Sequence, residues 1–355
     1  MHTLLVSASL APNYADSRHG FVPLARVAKV IGALPSPRRA LGARAVEPSP
    51  VSPLPTGHEL STFDVIIVSS SAGKDSSVAL EAAYRECKRL GLLDRLVVVH
   101  ADLGSDEWLN TGALAHEQAQ RLGLPFFVVS RIGQEKKTSA GSLYSKGERF
   151  GNLEDYVIRR KAAHRRGDQA SKPAWYSPAI RFCTSEFKRA PLRAFTTAMS
   201  KAFRAEHKER TGEKLARPVK VMSVQVLRAS ESANRAKLDA FKLDKGASSK
   251  AKEVYTWLPI HGWSDQQVWA TIRDEGIPYH FAYDRGMPRL SCTLCMFAPE
   301  DALMLGGLYN REALAGKVDV EIDTGDTFKA NLALADVDAR IEAGEFPTEL
   351  ADWTM

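Results

Sequence analysis

The sequence predicts an α/β protein: a doubly wound parallel sheet with helices on both faces, preceded by an irregular N-terminal extension and followed by a helical C-terminal one. Three observations lead there. Short β-branched runs at 65–68, 96–99 and 126–129 have the length and composition of strands buried on both faces. Stretches of helical period, 76–90 and 107–122, lie between them and are long enough to act as right-handed βαβ crossovers. The first run opens directly into Ser69-Ser-Ser-Ala-Gly-Lys-Asp-Ser-Ser77, a small-residue turn ahead of a helix.

Length and composition agree with this reading. A chain of 355 residues with 44% hydrophobic content can bury a core of that size, and no apolar run approaches a membrane span. Residues 1–60 carry Pro35, Pro37, Pro48, Pro50, Pro53 and Pro55 among Ala, Ser and Arg, and read as a poorly ordered extension. They lack the basic start, apolar run and cleavage site of a signal peptide, so a cytoplasmic location is expected. Residues 61–300 form the expected α/β domain and 301–355 the C-terminal extension.

The first strand ends in a turn whose small residues allow close approach of backbone N–H groups at a helix N-terminus. That is an anion site, and Lys74 adds a point charge. The spacing differs from the mononucleotide P-loop, because only Gly73 is present and Asp75 follows the lysine. Ser76 or Ser77 is expected to cap or open the helix, whose apolar positions Val78, Leu80, Ala83 and Cys87 turn Cys87 into the core as an inert thiol. The second strand leads into His100-Ala-Asp-Leu-Gly104. Ligands of doubly wound sheets bind outside the carboxyl ends of the strands, which brings Ser69–Ser77 and Asp102–Gly104 to one place. A further strand is expected over 219–227.

Charge is distributed unevenly. Residues 131–220 contain 22 Lys and Arg against 9 Asp and Glu, which leaves 26 against 33 elsewhere. Tyr144, Tyr156, Trp175 and Tyr176 are interleaved with these cations, a mixture suited to phosphate contacts and base stacking and so to a nucleic acid partner. A solvated basic helical face is the alternative. Four cysteines, Cys87, Cys183, Cys292 and Cys295, are too few for a disulfide framework, and Cys292-Thr-Leu-Cys295 has metal-ligand spacing.

The turn resembles the PP-loop Ser-Gly-Gly-Lys-Asp-Ser of N-type ATP pyrophosphatases, with Ser71 and Ala72 in place of Ser-Gly. Five ordered motifs over residues 63–297 resemble the phosphoadenosine phosphosulfate (PAPS) reductase family. Beyond the loop and Asp102-Leu-Gly104 these are Arg181, Cys183, Lys188, Pro191 and Leu192; Arg228, Glu231, Ser232 and Arg235; residues 257–269; residues 277–286; and Cys292 with Cys295. The resemblance implies the adenine nucleotide alpha hydrolase-like fold. It implies ATP with Mg²⁺, held by Ser69, Ser71, Ala72, Gly73, Ser76, Ser77, Asp102, Gly104, Glu231 and Arg235. Lys74, Asp75, Arg181, Lys188 and Arg228 would act on the charge that develops at the reacting group. Cys183 would open a helix that stabilises its thiolate, beside anion-holding Arg181 and Lys188.

Cys183, Cys292 and Cys295 would hold a [4Fe–4S] cluster, with Phe182 in the place of one cysteine of the family's pair; Zn²⁺ with a fourth ligand such as His280, and no metal at all, are the alternatives. The family's reductases end on a cysteine that attacks the nucleotide's sulfur, and no cysteine follows Cys295 in this sequence. The expected function is therefore ATP α,β-cleavage. It would activate an acceptor oxygen by adenylylation for sulfur from a donor such as a cysteine desulfurase, as in DNA phosphorothioation, with DNA ahead of tRNA as acceptor. A PAPS or adenosine phosphosulfate (APS) reductase, a tRNA thiolation enzyme and a non-catalytic nucleotide-binding subunit of a modification or defence complex are the alternatives.

Overall fold

Val65 and Ile67 feed one hydrophobic core and Ile66 and Val68 another, so the first strand is buried on both faces. The computed structural model describes residues 50–131, 151–167 and 169–345, with two short strands at 135–136 and 148–149. Most of the Pro-rich extension, the tail from 346, and the side chains of Lys136, Lys137, Tyr144, Lys146 and Arg149 lie outside the described residues.

The strands are β1 (Val65–Ser70), β2 (Leu96–Asp102), β3 (Phe126–Ser130), β4 (Glu135–Lys136), β5 (Glu148–Arg149), β6 (Val219–Val224), β7 (Phe241–Leu243) and β8 (Lys252–Trp257). Six of them make one sheet in the order β3-β2-β1-β6-β8-β7, parallel except for β7, while β4 and β5 pair apart as a small antiparallel ladder. The main helices are α1 (Lys74–Leu90), α2 (Thr111–Arg121), α3 (Leu153–Arg166), α4 (Ala190–Thr211), α5 (Asp265–Asp274), α6 (Glu300–Tyr309), α7 (Arg311–Thr324) and α8 (Leu334–Glu342).

Leu80, Ala83 and Cys87 of α1 and Ala119 of α2 cover Ile66, Val68, Val98 and Met222 on one face. Phe195 and Met199 of α4 cover Val65, Ile67, Val97, Val221 and Val254 on the other. Each fully buried large apolar side chain of these layers contributes about 1.5–3 kcal/mol. Because β1 has β2 on one side and β6 on the other, the winding reverses at β1, whose carboxyl end is where doubly wound sheets bind their ligands.

Some boundaries differ from the sequence reading. The helix expected from 107 begins at Thr111, because Gly104–Asp106 forms a 3₁₀ turn, Glu107 is extended and Asn110 takes a left-handed φ of 70°. The strand expected over 219–227 stops at Val224.

The C-terminal helices are continuous with the domain. Residues of α6, α7 and α8 share one core with Leu103, Trp108, Phe182, Leu294 and Cys295. Gly306 of α6 sits where a Cβ would collide with the Thr293 carbonyl, so the helix backbone rests directly on the cysteine turn. Lys317 of α7 is fully buried and its Nζ lies 2.5 Å from Asp106 and 2.7 Å from Glu154. Burial pushes the Asp106 carboxyl up to about 6 against the pull of that ammonium, and the two carboxylates keep Lys317 charged despite its burial. No helix among the described residues is long and apolar enough to cross a membrane.

Lys317→Met leaves two carboxylates buried without their cation, and a loss of about 3–5 kcal/mol is expected in urea unfolding. The exposed Lys201→Met change should stay within about 0.5 kcal/mol. Equal, small losses in both variants would show that Lys317 does not tie α7 to the domain.

Candidate active site

The turn after β1 enters α1 at Lys74 with Gly73 as N-cap, and no side chain caps the helix. The capping expected of Ser76 or Ser77 is absent: both hydroxyls donate back, to the Gly73 and Lys74 carbonyls, each at 2.9 Å. The helix therefore starts two residues earlier than its serines suggest. The Lys74 N–H donates to Tyr283 Oη at 2.9 Å, and Ser71 Oγ lies 3.3 Å from Ser76 Oγ. Ala72 adopts φ 56°, the left-handed conformation for which the related loops use glycine. That conformation costs an L-residue roughly 1–2 kcal/mol, and burial of the methyl against Leu114 and Ala115 offsets about 0.8 kcal/mol of it.

Arg228, 3% exposed, is the electrostatic centre of the site. Its Nε lies 2.6 Å from Asp75 and its Nη2 2.9 Å from Asp265, while Nη1 donates to Ser230 Oγ at 3.0 Å and the Trp263 carbonyl at 3.2 Å. Lys74 Nζ reaches Asp265 at 3.1 Å and the Pro288 carbonyl at 2.9 Å. Burial raises the Asp75 carboxyl, with Lys74 and Arg228 pulling the other way. Glu231 pairs with Arg235 and, at 3.3 Å, with Arg289. Two cations thus meet two carboxylates around the first turn of α1, and Lys74, Asp75 and Arg228 are brought together as the sequence reading requires. Asp265, Tyr283 and Arg289 escaped that reading, although Asp265 opens α5 behind its Ser264 cap and Tyr283 and Arg289 lie in or beside the matched 277–286 segment.

At the carboxyl end of β2 the Asp102 Oδ1 accepts the Gly104 N–H at 2.8 Å, with Gly104 at φ 64°. His100, one strand over from Ser70, sits between the Ser70 carbonyl and Glu107. Burial works against a charged ring, yet the adjoining Glu107 carboxylate and the Ser70 carbonyl raise its pKa to about 8.

Cys183 lies in the helical turn Phe182–Thr184, which runs through a π-helical stretch, Ser185–Arg189, into α4. The Thr293 N–H holds the Cys292–Cys295 turn to the Asp106 carbonyl at 2.8 Å. Lys188 lies close enough to Cys292, Glu107, Cys295 and Cys183 that negative charge on them raises its pKa. The lowered thiol expected at Cys183 is not what forms: burial raises it, and pushes Cys292 up to about 12. Arg181 is exposed, donates to the Pro178 carbonyl and lies 4.5 Å over the Phe297 ring, on the thiol side of the site.

Among the described residues the group whose ligand atoms all lie within 4.8 Å of one another is His100, Asp102 and Glu107, and the three cysteines are not in it. Thiolates on one zinc ion stand roughly 3.8 Å apart, whereas an iron–sulfur cube spreads its ligands farther. His280, the suggested fourth zinc ligand, is already used: Nε2–H faces the Leu109 carbonyl at 2.9 Å and Nδ1 accepts the Ala282 N–H at 3.2 Å.

Burial pushes the His280 ring down to about 4. The unfolded chain therefore takes up the proton first, and stability present above about pH 6.5 is lost as the pH falls towards 4. Urea unfolding at pH 5 should show a loss of about 2 kcal/mol relative to pH 7 from this residue, and His280→Gln should flatten that part of the profile. An unchanged profile in the variant would contradict the buried neutral ring.

Known proteins are similar to parts of this chain. Two adenosine 5'-phosphosulfate reductases align with part of the chain: that of Allochromatium vinosum with 35% identity over 69 residues, 19% of this chain and 25% of that protein, and that of Neisseria meningitidis with 32% over 68 residues, 19% and 26%. The chain spans about a quarter of the length of these curated relatives. The crystal structure of phosphoadenylyl-sulfate (PAPS) reductase from Candida auris in its phosphate complex superposes with a TM-score of 0.34 and 12% identity, over 66% of this chain and 83% of that one. Residues 65–298, from the first residue of β1 to just past the cysteine turn, match the phosphoadenosine phosphosulfate reductase domain, and the chain belongs to that family.

Proposed function

We propose that the protein is a sulfur-transfer enzyme acting on an adenine nucleotide, with a nucleotide sulfate such as adenosine 5'-phosphosulfate as its leading substrate. The observation that carries this reading is the electrostatic coupling of Lys188 to Cys292, Cys295, Cys183 and Glu107, whose charge raises its pKa. The PP-loop opens at the same end of the sheet, one strand away. A nucleotide phosphate at the uncapped start of α1 would direct its sulfate towards Lys188. A thiolate then attacks the sulfate sulfur, an S–S bond forms, and the S–O bond breaks with its electron pair leaving on AMP. An external dithiol reduces the resulting thiosulfonate and releases sulfite. Cys183, Cys292 and Cys295 would hold a [4Fe–4S] cluster, and the attacking thiol would then come from a second molecule. A bound cluster would supply labile sulfide and an electron-poor metal face beside the nucleotide.

A second reading is favoured by the Ser71-Ala-Gly-Lys-Asp-Ser76 loop and the cation-rich 131–220 segment. ATP with Mg²⁺ would be cleaved to pyrophosphate and an adenylylated acceptor, and sulfur from a donor such as a cysteine desulfurase would displace AMP from DNA or, second to it, tRNA. The named relatives put the reductase reading first, the reverse of the order drawn from sequence.

Anaerobically prepared protein given a dithiol and, in turn, adenosine phosphosulfate, its 3'-phosphorylated form and ATP tests both. The first reading expects sulfite and AMP from a nucleotide sulfate, reduced by roughly 10²-fold or more in Lys188→Ala. AMP and pyrophosphate from ATP, without sulfite, would install the second reading, and ADP with orthophosphate would contradict both.

A further inference from the structure

We propose that His100, Asp102 and Glu107 form a binding site for a divalent transition-metal ion, at the carboxyl end of β2 and next to the PP-loop. His100 and Asp102 are two residues apart on the strand and so point to one side of it. The left-handed Gly104 turn brings the chain back, and Glu107 Oε2 arrives 3.0 Å from His100 Nε2. One ligand atom from each of the three residues lies within 4.8 Å of the others.

The hydrogen bonding of the imidazole argues for a cation at this point. His100 Nδ1 lies 3.0 Å from the Ser70 carbonyl, which can only accept, so Nδ1 carries the hydrogen. In the neutral ring Nε2 therefore presents its lone pair to a carboxylate oxygen. Two electron-rich atoms 3.0 Å apart hold a proton or a metal between them. A proton satisfies His100 and Glu107, and the Gly104 N–H holds one Asp102 oxygen; a metal would draw in addition on the Asp102 carboxylate, which has an oxygen within 4.8 Å of the pair. Bonds of roughly 2.1 Å place neighbouring ligands of an octahedral ion about 3 Å apart, as the His100–Glu107 pair is. An Nδ1–H held by a backbone carbonyl is also the usual outer-shell support of a metal-bound histidine.

The donor set names the ion class. One buried imidazole with two half-buried carboxylates suits Mn²⁺, Fe²⁺, Co²⁺ or Zn²⁺ better than Mg²⁺, which favours oxygen alone. Asp102 and Glu107 are partly exposed, so solvent reaches the site. Neighbouring β1 and β2 are about 4.8 Å apart, and Ser70 pairs with His100, so an ion here lies within reach of a phosphate on the PP-loop. That role rests on the nucleotide reading above, whereas the binding of the ion does not. Lys188 is the nearby cation that opposes it.

Mn²⁺ is the probe, because it avoids thiolates and leaves the cysteine turn out of the measurement. Titration of full-length, metal-stripped protein followed by electron paramagnetic resonance, without nucleotide, should give one bound Mn²⁺ per chain. Glu107→Gln and Asp102→Asn, both with partly exposed side chains, should each weaken it by roughly tenfold or more, while circular dichroism and thermal unfolding confirm the fold. The exposed Lys201→Met change should leave the affinity unchanged. No saturable Mn²⁺ site, or an affinity in both carboxylate variants unchanged from that of the unsubstituted protein, would overturn the proposal and leave a protonated His100–Glu107 pair. Neither result depends on turnover of any nucleotide.

Discussion

A guanidinium taken almost wholly out of water needs carboxylates at fixed positions, and Arg228 has two, Asp75 and Asp265. Each sits in the first turn of a helix, α1 and α5, where the dipole also favours an anion. Arg228 therefore fixes two helix N-termini against each other, and Lys74 closes the network from the other side through Asp265. The loop between β1 and α1 can hold the left-handed Ala72 because this network and the Tyr283 hydroxyl define where the helix begins. Removing one partner of such a group leaves a buried charge uncompensated, which is why the arrangement behaves as a unit.

The second half of the site depends on helices beyond the family match, which ends at residue 298. Lys317 reaches back from α7 to Asp106, whose own carbonyl holds the Thr293 N–H. Asn310 donates to the Ser105 and Glu107 carbonyls at 3.0 and 3.1 Å, and Gly306 lets α6 lie against the cysteine turn. The C-terminal helices thus position both the thiols and the turn that carries Glu107. His100, Glu107 and Lys188 form the seam between this half and the PP-loop.

Much of the fold was legible in the sequence because its signals are local. Val65–Val68, Leu96–Val99 and Phe126–Val129 are apolar and β-rich in a way that fits a strand covered on both faces, and Cys87 faces the core as helical spacing requires. The errors came where tertiary contacts override local preference. Ser76 and Ser77 look like caps, but their hydroxyls bond backwards because Tyr283, distant in sequence, takes the Lys74 N–H. Helical spacing from 107 to 110 is spent instead on bringing Glu107 to His100. His280 has the chemistry of a zinc ligand and loses it to Leu109 and Ala282. Asp265 becomes a site residue only because Arg228 reaches α5.

The central claim is that the loop opening α1 and the thiol turn serve a single anionic ligand. Its most direct measurement is a ¹H–¹⁵N chemical-shift titration with AMP and with adenosine phosphosulfate, following the backbone amides of Gly73, Lys74 and Asp75 together with those of Thr293 and Leu294. The account predicts that AMP moves the first group alone, and that the nucleotide sulfate moves both groups with one saturation curve. Movement of the second group without the first, or of neither while other amides shift, would contradict it.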